Sequence, residues 1–166
     1  VTSTQGSRIG GIAAQAFSGA SIRNCRNEAE VRALSGNYAG GVVATLDAGA
    51  TIENTVNSGV ISATSGYVAG IAADAAGTIL NSRNETALEG KANIAGLVAK
   101  ATEGLSIDGS SNAASITASG ASAAGLVATA TGAVTIRNSQ NTGKITAAQT
   151  VAGVIATAEK GLVASD

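Results

Sequence analysis

The acidic side chains are the residues of this sequence best suited to catalysis. Enzymes that cleave polysaccharides use paired carboxylates as acid and as base or nucleophile. The chain contains no His, which excludes a Ser/His/Asp triad and the H-E-x-x-H zinc motif. The carboxylates fall at different positions of the repeat described below: Asp47, Glu53, Asp74, Glu85, Glu89, Glu103 and Asp108. We therefore predict no enzymatic activity, no catalytic residues, no cofactor and no metal site.

The one cysteine is the remaining nucleophile to consider. Cys25 lies between Arg23 and Arg26, and nearby positive charge favours a reactive thiolate. The same repeat position elsewhere holds small hydroxyl side chains, namely Thr55, Ser82, Ser110 and Ser139. We therefore interpret Cys25 as a small polar filler. A lone cysteine also excludes an internal disulfide and a thiolate metal cage.

The composition argues against two classes of partner. The chain has 10 Lys and Arg against 11 Asp and Glu, so its net charge is only −1. A near-neutral chain has no long-range field to attract nucleic acid or an anionic membrane. The longest apolar stretches, such as 94–101, are far shorter than the ~20 residues of a membrane-spanning helix. We expect neither nucleic-acid binding nor membrane insertion.

A short sequence motif recurs along the whole chain, which predicts a repeating structure. "IRNCRN" at 22–27 returns as "IENTVN", "ILNSRN", "IDGSSN" and "IRNSQN". A second phrase, a glycine followed by two aliphatic residues, places its glycine at 11, 41, 70, 96, 125 and 153. Both markers have a period of roughly 28 residues, which is typical of stacked-repeat proteins.

Each repeat contains three short aliphatic stretches separated by Gly, Asn and Ser, a pattern that predicts strands. Abundant Ala also suits helices, but 22 Gly at regular intervals would interrupt them at ~1 kcal/mol each. We predict an all-β fold, a right-handed parallel β-solenoid of about six coils of ~28 residues with three strands per coil. It forms a single domain over 1–166, with partial coils at 1–10 and 153–166 and coils starting near 11, 41, 70, 96 and 125.

Stacking of the coils explains why the phrase recurs. Equivalent residues of successive parallel strands lie about 4.8 Å apart, so each repeat position forms a column along the axis. One column is apolar: Ile22, Ile52, Ile79, Ile107 and Ile136. A second is an amide ladder: Asn27, Asn57, Asn84, Asn112 and Asn141. A third occupies a left-handed turn and is interrupted by Gly109: Asn24, Asn54, Asn81 and Asn138.

The charges support this register. Opposite signs are favoured at neighbouring positions of adjacent strands, and like signs are disfavoured. The predicted neighbours are opposite in sign in three cases: Arg23 with Glu53, Asp74 with Lys100, and Asp108 with Arg137.

Two surface columns are candidate contact sites. The second aliphatic residue of the glycine phrase points outward if its neighbour points inward, which predicts an apolar contact stripe: Val43, Val98, Val127 and Ile155. The alternatives are a sheet that is buried on both faces and a bulge that turns these residues inward. A Ser/Thr column instead suggests ice binding: Ser21, Thr51, Thr78, Ser106 and Thr135. A charged column two residues further along would face the same way and disrupt a flat surface.

The two ends of the sequence are complementary. Val1 aligns with Val31, so the first residues are expected to form the third strand of a preceding coil. The last residues stop in the second strand of an unfinished coil. We hypothesise that copies of the chain associate head-to-tail, or that other domains of a longer chain cover these ends.

The repeats resemble a known family. The stretches 8–27, 50–73 and 134–156 are similar to GLUG-type repeats of large bacterial surface proteins, which also occur beside IgA-cleaving peptidases. In those repeats the glycine phrase ends in a further glycine after its aliphatic residues. This sequence has Ala at that position, as at Ala99. The resemblance implies a non-enzymatic extracellular module of a cell-surface adhesin, stalk or filament that mediates adhesion or self-association. Its implied partners are domains of a longer chain, further copies, and a host glycan or protein. The alternatives are an ice-binding solenoid and, less favoured, a polysaccharide-active β-helix enzyme.

Overall fold

The chain folds as a parallel β-solenoid, which confirms the predicted fold class. The structure, a computed structural model, describes residues 1–5, 7–35, 38–64, 66–91, 93–120 and 122–165, with side chains as far as residue 161. These residues form strands and no helix. The strands stack in parallel over about five turns of about 29 residues. Right-handed winding stays a prediction, supported by the strong preference of parallel connections for that hand.

Each coil passes through five sheets, which we number I to V in the order in which the chain reaches them. Sheet I comprises Arg8–Gly10, Tyr38–Gly40, Tyr67–Ala69, Asn93–Ala95, Ala123–Ala124 and Val151–Ala152. Sheet II comprises Ala13–Ala16, Val43–Leu46, Ala72–Ala75, Val98–Ala101, Val127–Ala130 and Ile155–Ala158. Sheet III comprises Ser21–Arg23, Thr51–Glu53, Thr78–Leu80, Leu105–Asp108, Val134–Arg137 and Leu162–Ser165. Sheet IV comprises Arg26–Asn27, Val56–Asn57, Arg83–Asn84, Ser111–Asn112 and Gln140–Asn141. Sheet V comprises Thr2–Ser3, Val31–Ala33, Ile61–Ala63, Leu88–Gly90, Ile116–Ala118 and Ile145–Ala147.

We number the coils by their sheet I strands, so that the first coil begins at Arg8. The structure has five strands per coil where the sequence predicts three. The three predicted aliphatic strands are those of sheets II, III and V. Sheet IV strands have two residues each and end at the ladder Asn, such as Asn27. Sheet I strands begin with Arg, Tyr or Asn in the first four coils, so they lack the aliphatic pattern by which strands are recognised.

The register follows the predicted columns. Ile52 pairs with Ile22 on one side and with Ile79 on the other, and the same column continues through Ile107 to Ile136. The strand Thr2–Ser3 pairs with the sheet V strand of the first coil, as the alignment of Val1 with Val31 predicts. Equivalent residues therefore lie above one another along the described stack.

The apolar core is divided into two lobes. One lobe lies between sheets II and III and contains the Ile column together with residues such as Leu97 and Leu105. The other lies between sheets V and I and contains residues such as Leu88 and Ile94. With few aromatic residues available, both lobes are filled by stacked aliphatic side chains, and each fully buried Val, Leu or Ile contributes about 1.5–3 kcal/mol.

The two sequence markers meet at the waist between these lobes. A Cβ atom added to Gly70 would overlap the side chain of Asn84 and the carbonyl oxygen of Gly96. The same overlap with the ladder Asn recurs at Gly11, Gly41, Gly96 and Gly125. The glycine phrase and the Asn phrase share one period because they touch across the solenoid, and only a residue without a side chain fits between coils there.

The predicted outward orientation of the contact stripe is wrong, because its side chains lie in the core. Three members are fully buried and the fourth packs against the same lobe: Val43, Val98, Val127 and Ile155. In the fourth coil the backbone amides of Leu97 and Val98 both donate to the carbonyl oxygen of Leu126. Val98 and Val127 remain paired one to one, so the shared acceptor marks a bend of the backbone, and the side chains of Leu97 and Val98 both lie in the core.

The interrupted Asn column adopts the predicted left-handed turn. Its backbone φ angles lie between 47° and 53°, at Asn24, Asn54, Asn81 and Asn138. Gly109 fills the gap in this column with φ 60°. Asn and Gly are the residues that enter this region most readily, so the substitution keeps the turn while losing the side chain.

Candidate functional site

The Asn ladder is the most regular polar feature inside the solenoid. Each side chain donates from Nδ2 to the Oδ1 of the next coil, over 2.8, 3.0, 2.8 and 2.7 Å from Asn27 to Asn141. Each Nδ2 also donates to a backbone carbonyl oxygen two residues further on, as Asn57 does to Gly59. Among the described residues, no buried side-chain nitrogen or oxygen lacks a partner. The ladder is therefore satisfied internally and offers no group to a ligand.

A second interior column consists of hydroxyl groups, with Cys25 at its start. Ser82 Oγ donates to the carbonyl oxygen of Leu80 at 2.7 Å and accepts from the backbone amide of Thr55 at 3.1 Å. Ser110 repeats this arrangement one coil later. Cys25 Sγ makes the corresponding donation to the Arg23 carbonyl oxygen at 3.1 Å. Cys25 thus takes the place of one member of a hydrogen-bonded column, as the filler interpretation requires.

Several carboxylates of the described residues make local ion pairs. Glu53 pairs with Arg23 at 3.3 Å, as the register predicts. Glu85 pairs with Arg83 at 2.6 Å and with Arg26 at 3.1 Å. The hydrogen bond from Arg83 is the main reason that the pKa of Glu85 lies below its usual value, despite the opposing effect of burial. In the part of the chain that the structure describes, no group of three His, Cys, Asp or Glu side chains could hold a metal ion.

The outer face of sheet III carries the Ser/Thr column considered for ice binding. Thr51 pairs in register with Thr78, and Glu53 pairs with Leu80, two positions further along the same strands. The buried Ile52 lies between Thr51 and Glu53, so the Ser/Thr column and the column of Glu53 share the outer face. This face is therefore interrupted by charged and bulky side chains.

The outer faces of sheets I and II converge at a concave corner. Val68 points into the core lobe between sheets V and I, so Tyr67 and Ala69 on the same strand point outward. Ala69 is nevertheless fully buried, as is Ala73 beside it on sheet II. The equivalent alanines further along pack into a cluster of their own: Ala95, Ala124 and Ala128. Outward side chains can bury one another only where two faces are folded together.

Above this alanine floor lies a group of four larger side chains, which we call the corner cluster: Tyr38, Tyr67, Asp74 and Lys100. The two Tyr rings stack with their centroids 5.5 Å apart and their planes at 10°. Lys100 Nζ lies 5.9 and 6.0 Å from the two ring centroids and 3.4 Å from Asp74 Oδ2. The cluster joins three successive coils.

The electrostatics of the cluster hold the ammonium group in its charged form. Partial burial lowers the pKa of Lys100, but the Asp74 carboxylate and the Tyr38 phenol outweigh this effect. The pKa of Lys100 is therefore raised above its usual value. Both members of the ion pair remain partly exposed, with 26% and 20% of the Lys100 and Asp74 side chains accessible.

Neighbouring residues extend the corner along the axis. Arg8 on sheet I donates from Nε to Thr45 Oγ1 on sheet II at 2.9 Å, one coil before the cluster. Asn93 follows Tyr67 in the sheet I column, and Thr129 follows Lys100 in the sheet II column. The corner thus presents amide, hydroxyl and guanidinium groups on either side of the stacked rings.

Shallow depressions lie on the outer face of sheet V. One has a volume of about 470 Å³ and is lined by residues that include Ser62, Glu89 and Lys91. Two smaller ones, of about 270 and 200 Å³, share Ser62 and Glu89 with it. Gly90, which pairs in register with Ala63 and Ala118, also lines the first of these depressions. No aromatic side chain lines these depressions.

The sequence predicted the pairing of Asp74 with Lys100 but missed the corner around it. Tyr38 and Tyr67 lie 29 positions apart in the sequence, immediately ahead of the glycine phrase. That spacing equals one coil and would have placed the rings above one another. The bend that brings them to Lys100 depends on sheet I, which the aliphatic pattern does not indicate.

Among the described residues, no helix has the length and hydropathy needed to cross a membrane. Comparisons with family models, curated proteins and solved structures gave no match.

Proposed function

We propose that the chain is a rigid, non-enzymatic β-solenoid module of an extracellular, cell-surface protein such as an adhesin, a stalk or a filament. The observation that carries this proposal is the continuity of the side-chain ladders from coil to coil. The Asn ladder links five coils through hydrogen bonds of 3.0 Å or less. About five turns at ~4.8 Å per turn give a rod core of roughly 25 Å.

The edges of the stack support a role in self-association. The last strands of sheets I, II and III lie one coil beyond the last strand of sheet V, whereas sheet V alone has a strand ahead of the first coil. A second copy placed head-to-tail would bring its Thr2–Ser3 strand beside Ile145–Ala147. The backbone groups of both edges would then pair as they do inside the stack. Further coils of a longer chain would satisfy the same edges.

Sedimentation velocity over a wide concentration range tests self-association. We expect larger species as the concentration rises, and we expect Val154→Lys to abolish them. Val154 is 39% exposed at the last coil, and a following coil would bury the new charge in the core lobe. Val60→Lys is the matched control because Val60 is 55% exposed away from the edge.

Binding to surfaces coated with glycans or matrix proteins tests adhesion. A purified chain that stays monomeric at every concentration and adheres to no coated surface would contradict the proposal. Turnover of a polysaccharide would support the enzyme alternative. A second, interrupted Thr column on sheet II comprises Thr45, Thr129 and Thr157, with Asp74 and Lys100 between them. Thermal hysteresis that disappears on replacing one of these three Thr residues with Leu would support the ice-binding alternative.

A further inference from the structure

The corner cluster is unusual because the fold does not require it. Both tyrosines of the chain lie there. Large side chains would contribute more to stability in the core, which contains few aromatic residues, than at this partly exposed corner. In the column of Tyr38 and Tyr67, the first coil has Arg8 and the fourth has Asn93. Solenoid stacking therefore tolerates unrelated residues at these positions.

The contacts fix the four side chains without burying them. The rings restrain one another by stacking, and Lys100 is held by Asp74 on one side and by the rings on the other. Both rings are only partly buried. Side chains that are fixed and still accessible lose little freedom on binding, which favours affinity.

The chemistry of the corner selects one class of ligand. A cationic ligand is disfavoured because Lys100 already occupies the position beside the rings. Asp74 balances the charge of Lys100, so a strongly charged partner is not required. Aromatic rings beside amide and hydroxyl groups suit a molecule with apolar C–H faces and many hydroxyl groups. The columns run along the axis, so the surface suits a chain of such units.

We propose that the corner between sheets I and II binds an oligosaccharide, with Tyr38 and Tyr67 as the platform and Asp74 and Lys100 as hydrogen-bonding partners of its hydroxyl groups. The inference deepens the proposed adhesive function and rests on it. Asn93 and Thr45 extend the polar contacts to either side. A proline-rich peptide would be the competing occupant, but the corner offers an alanine floor rather than apolar pockets for its side chains.

The intrinsic fluorescence of the protein reports directly on this site. The chain has two Tyr and no Trp, so tyrosine emission comes only from Tyr38 and Tyr67. We would titrate the protein with cellohexaose, chitohexaose and hexagalacturonate, and in parallel with a proline-rich peptide. The expected result is a saturable change in tyrosine emission with at least one of the three sugars and none with the peptide.

Variants locate the binding. Isothermal titration with the responding sugar should show affinity reduced at least about tenfold in Tyr38→Ser, in Tyr67→Ser and in Lys100→Gln. Phe17→Ser is the matched control: it removes the third aromatic side chain, which is 64% exposed, and should leave affinity unchanged. Circular dichroism at the start of each titration confirms that every variant retains its strands.

The outcomes separate this inference from the proposed function. Sugar binding with unchanged affinity in both Tyr variants would move the site elsewhere and overturn the inference. A response to the peptide alone would also overturn it. If no sugar changes the emission while the chain still adheres to matrix protein or self-associates, the inference fails and the proposed function stands. If adhesion and self-association are both absent, the proposed function fails.

Discussion

The Asn ladder and the corner cluster are both produced by stacking coils, yet they differ in how often they recur. The ladder has the same residue in five coils, is largely buried, and satisfies each amide with its own copies. The corner cluster contains four side chains of three kinds, occurs once, and remains partly exposed. A position that the fold constrains has the same residue in each coil, whereas a position that the fold does not constrain can hold different residues.

This difference separates structural from functional residues in a solenoid. Removing a ladder residue leaves its neighbours above and below without partners inside the core, where each unsatisfied group costs about 1–3 kcal/mol. Removing a corner residue exposes its neighbours to water, which can replace the lost contact. Stability measurements should therefore respond strongly to ladder substitutions and weakly to corner substitutions, and binding measurements should show the reverse.

The largest effect is expected where the glycine phrase meets the ladder. Gly70→Ala would drive a methyl group into Asn84 and into the backbone of the next coil, so we expect destabilisation of at least about 3 kcal/mol. Gly153→Ala is the matched control, because a Cβ there meets nothing within 4 Å. Urea unfolding followed by far-ultraviolet circular dichroism measures both. Equal destabilisation by the two substitutions would show that the close contact between Gly70 and Asn84 does not hold the coils together.

The next largest effect concerns the ladder itself. Asn84 accepts from Asn57, donates to Asn112 and also donates to the carbonyl oxygen of Thr86. Asn84→Ala should therefore cost about 3 kcal/mol in urea unfolding, since it leaves buried partners unsatisfied. Asn141→Ala, at the half-buried end of the described ladder, should cost only about 1 kcal/mol. A ladder in which the end position matters as much as the middle would contradict this account.

The left-handed turn should show a smaller effect. Asn54 has φ 50° and is exposed, so packing contributes little to its role. We expect Asn54→Gly to change stability by a few tenths of a kcal/mol and Asn54→Ala to cost about 1 kcal/mol, because Ala enters this backbone region reluctantly. Thermal unfolding of the two variants would separate backbone strain from loss of the side chain. An alanine variant as stable as the glycine variant would show that the positive φ at position 54 does not disfavour Ala.

The features of the fold that could be predicted are those that recur. Two markers with one period were enough to give the parallel solenoid, the Ile column and the Asn ladder, because stacking requires equivalent residues to coincide. The bend that turns both Leu97 and Val98 into the core was not predictable in the same way. Strand alternation assigns the two residues to opposite faces, and only the shared hydrogen-bond acceptor at Leu126 shows that both turn inward.

The corner cluster was harder to predict because its members come from different columns. The register alone pairs Asp74 with Lys100 and would pair Tyr38 with Tyr67. Bringing the two pairs together depends on the angle between sheets I and II, which is set by the small residues of the floor, such as Ala69 and Ala73. Small residues also occur throughout the rest of the chain, so they give no distinctive signal of a concave bend.

The smallest change in unfolding free energy is expected in the corner cluster. Lys100→Gln should cost at most about 1 kcal/mol at neutral pH, since a partly exposed ion pair contributes little to folding. The pKa of Lys100 is raised in the folded state, so its contribution is fully present below the ordinary pKa of the unfolded state and is lost as the pH rises through the higher folded-state pKa. Urea unfolding of wild type and variant should give a difference that is constant from pH 6 to pH 9 and shrinks only in stronger alkali. A cost comparable to that of Asn84→Ala would mean that the corner supports the fold as the ladder does.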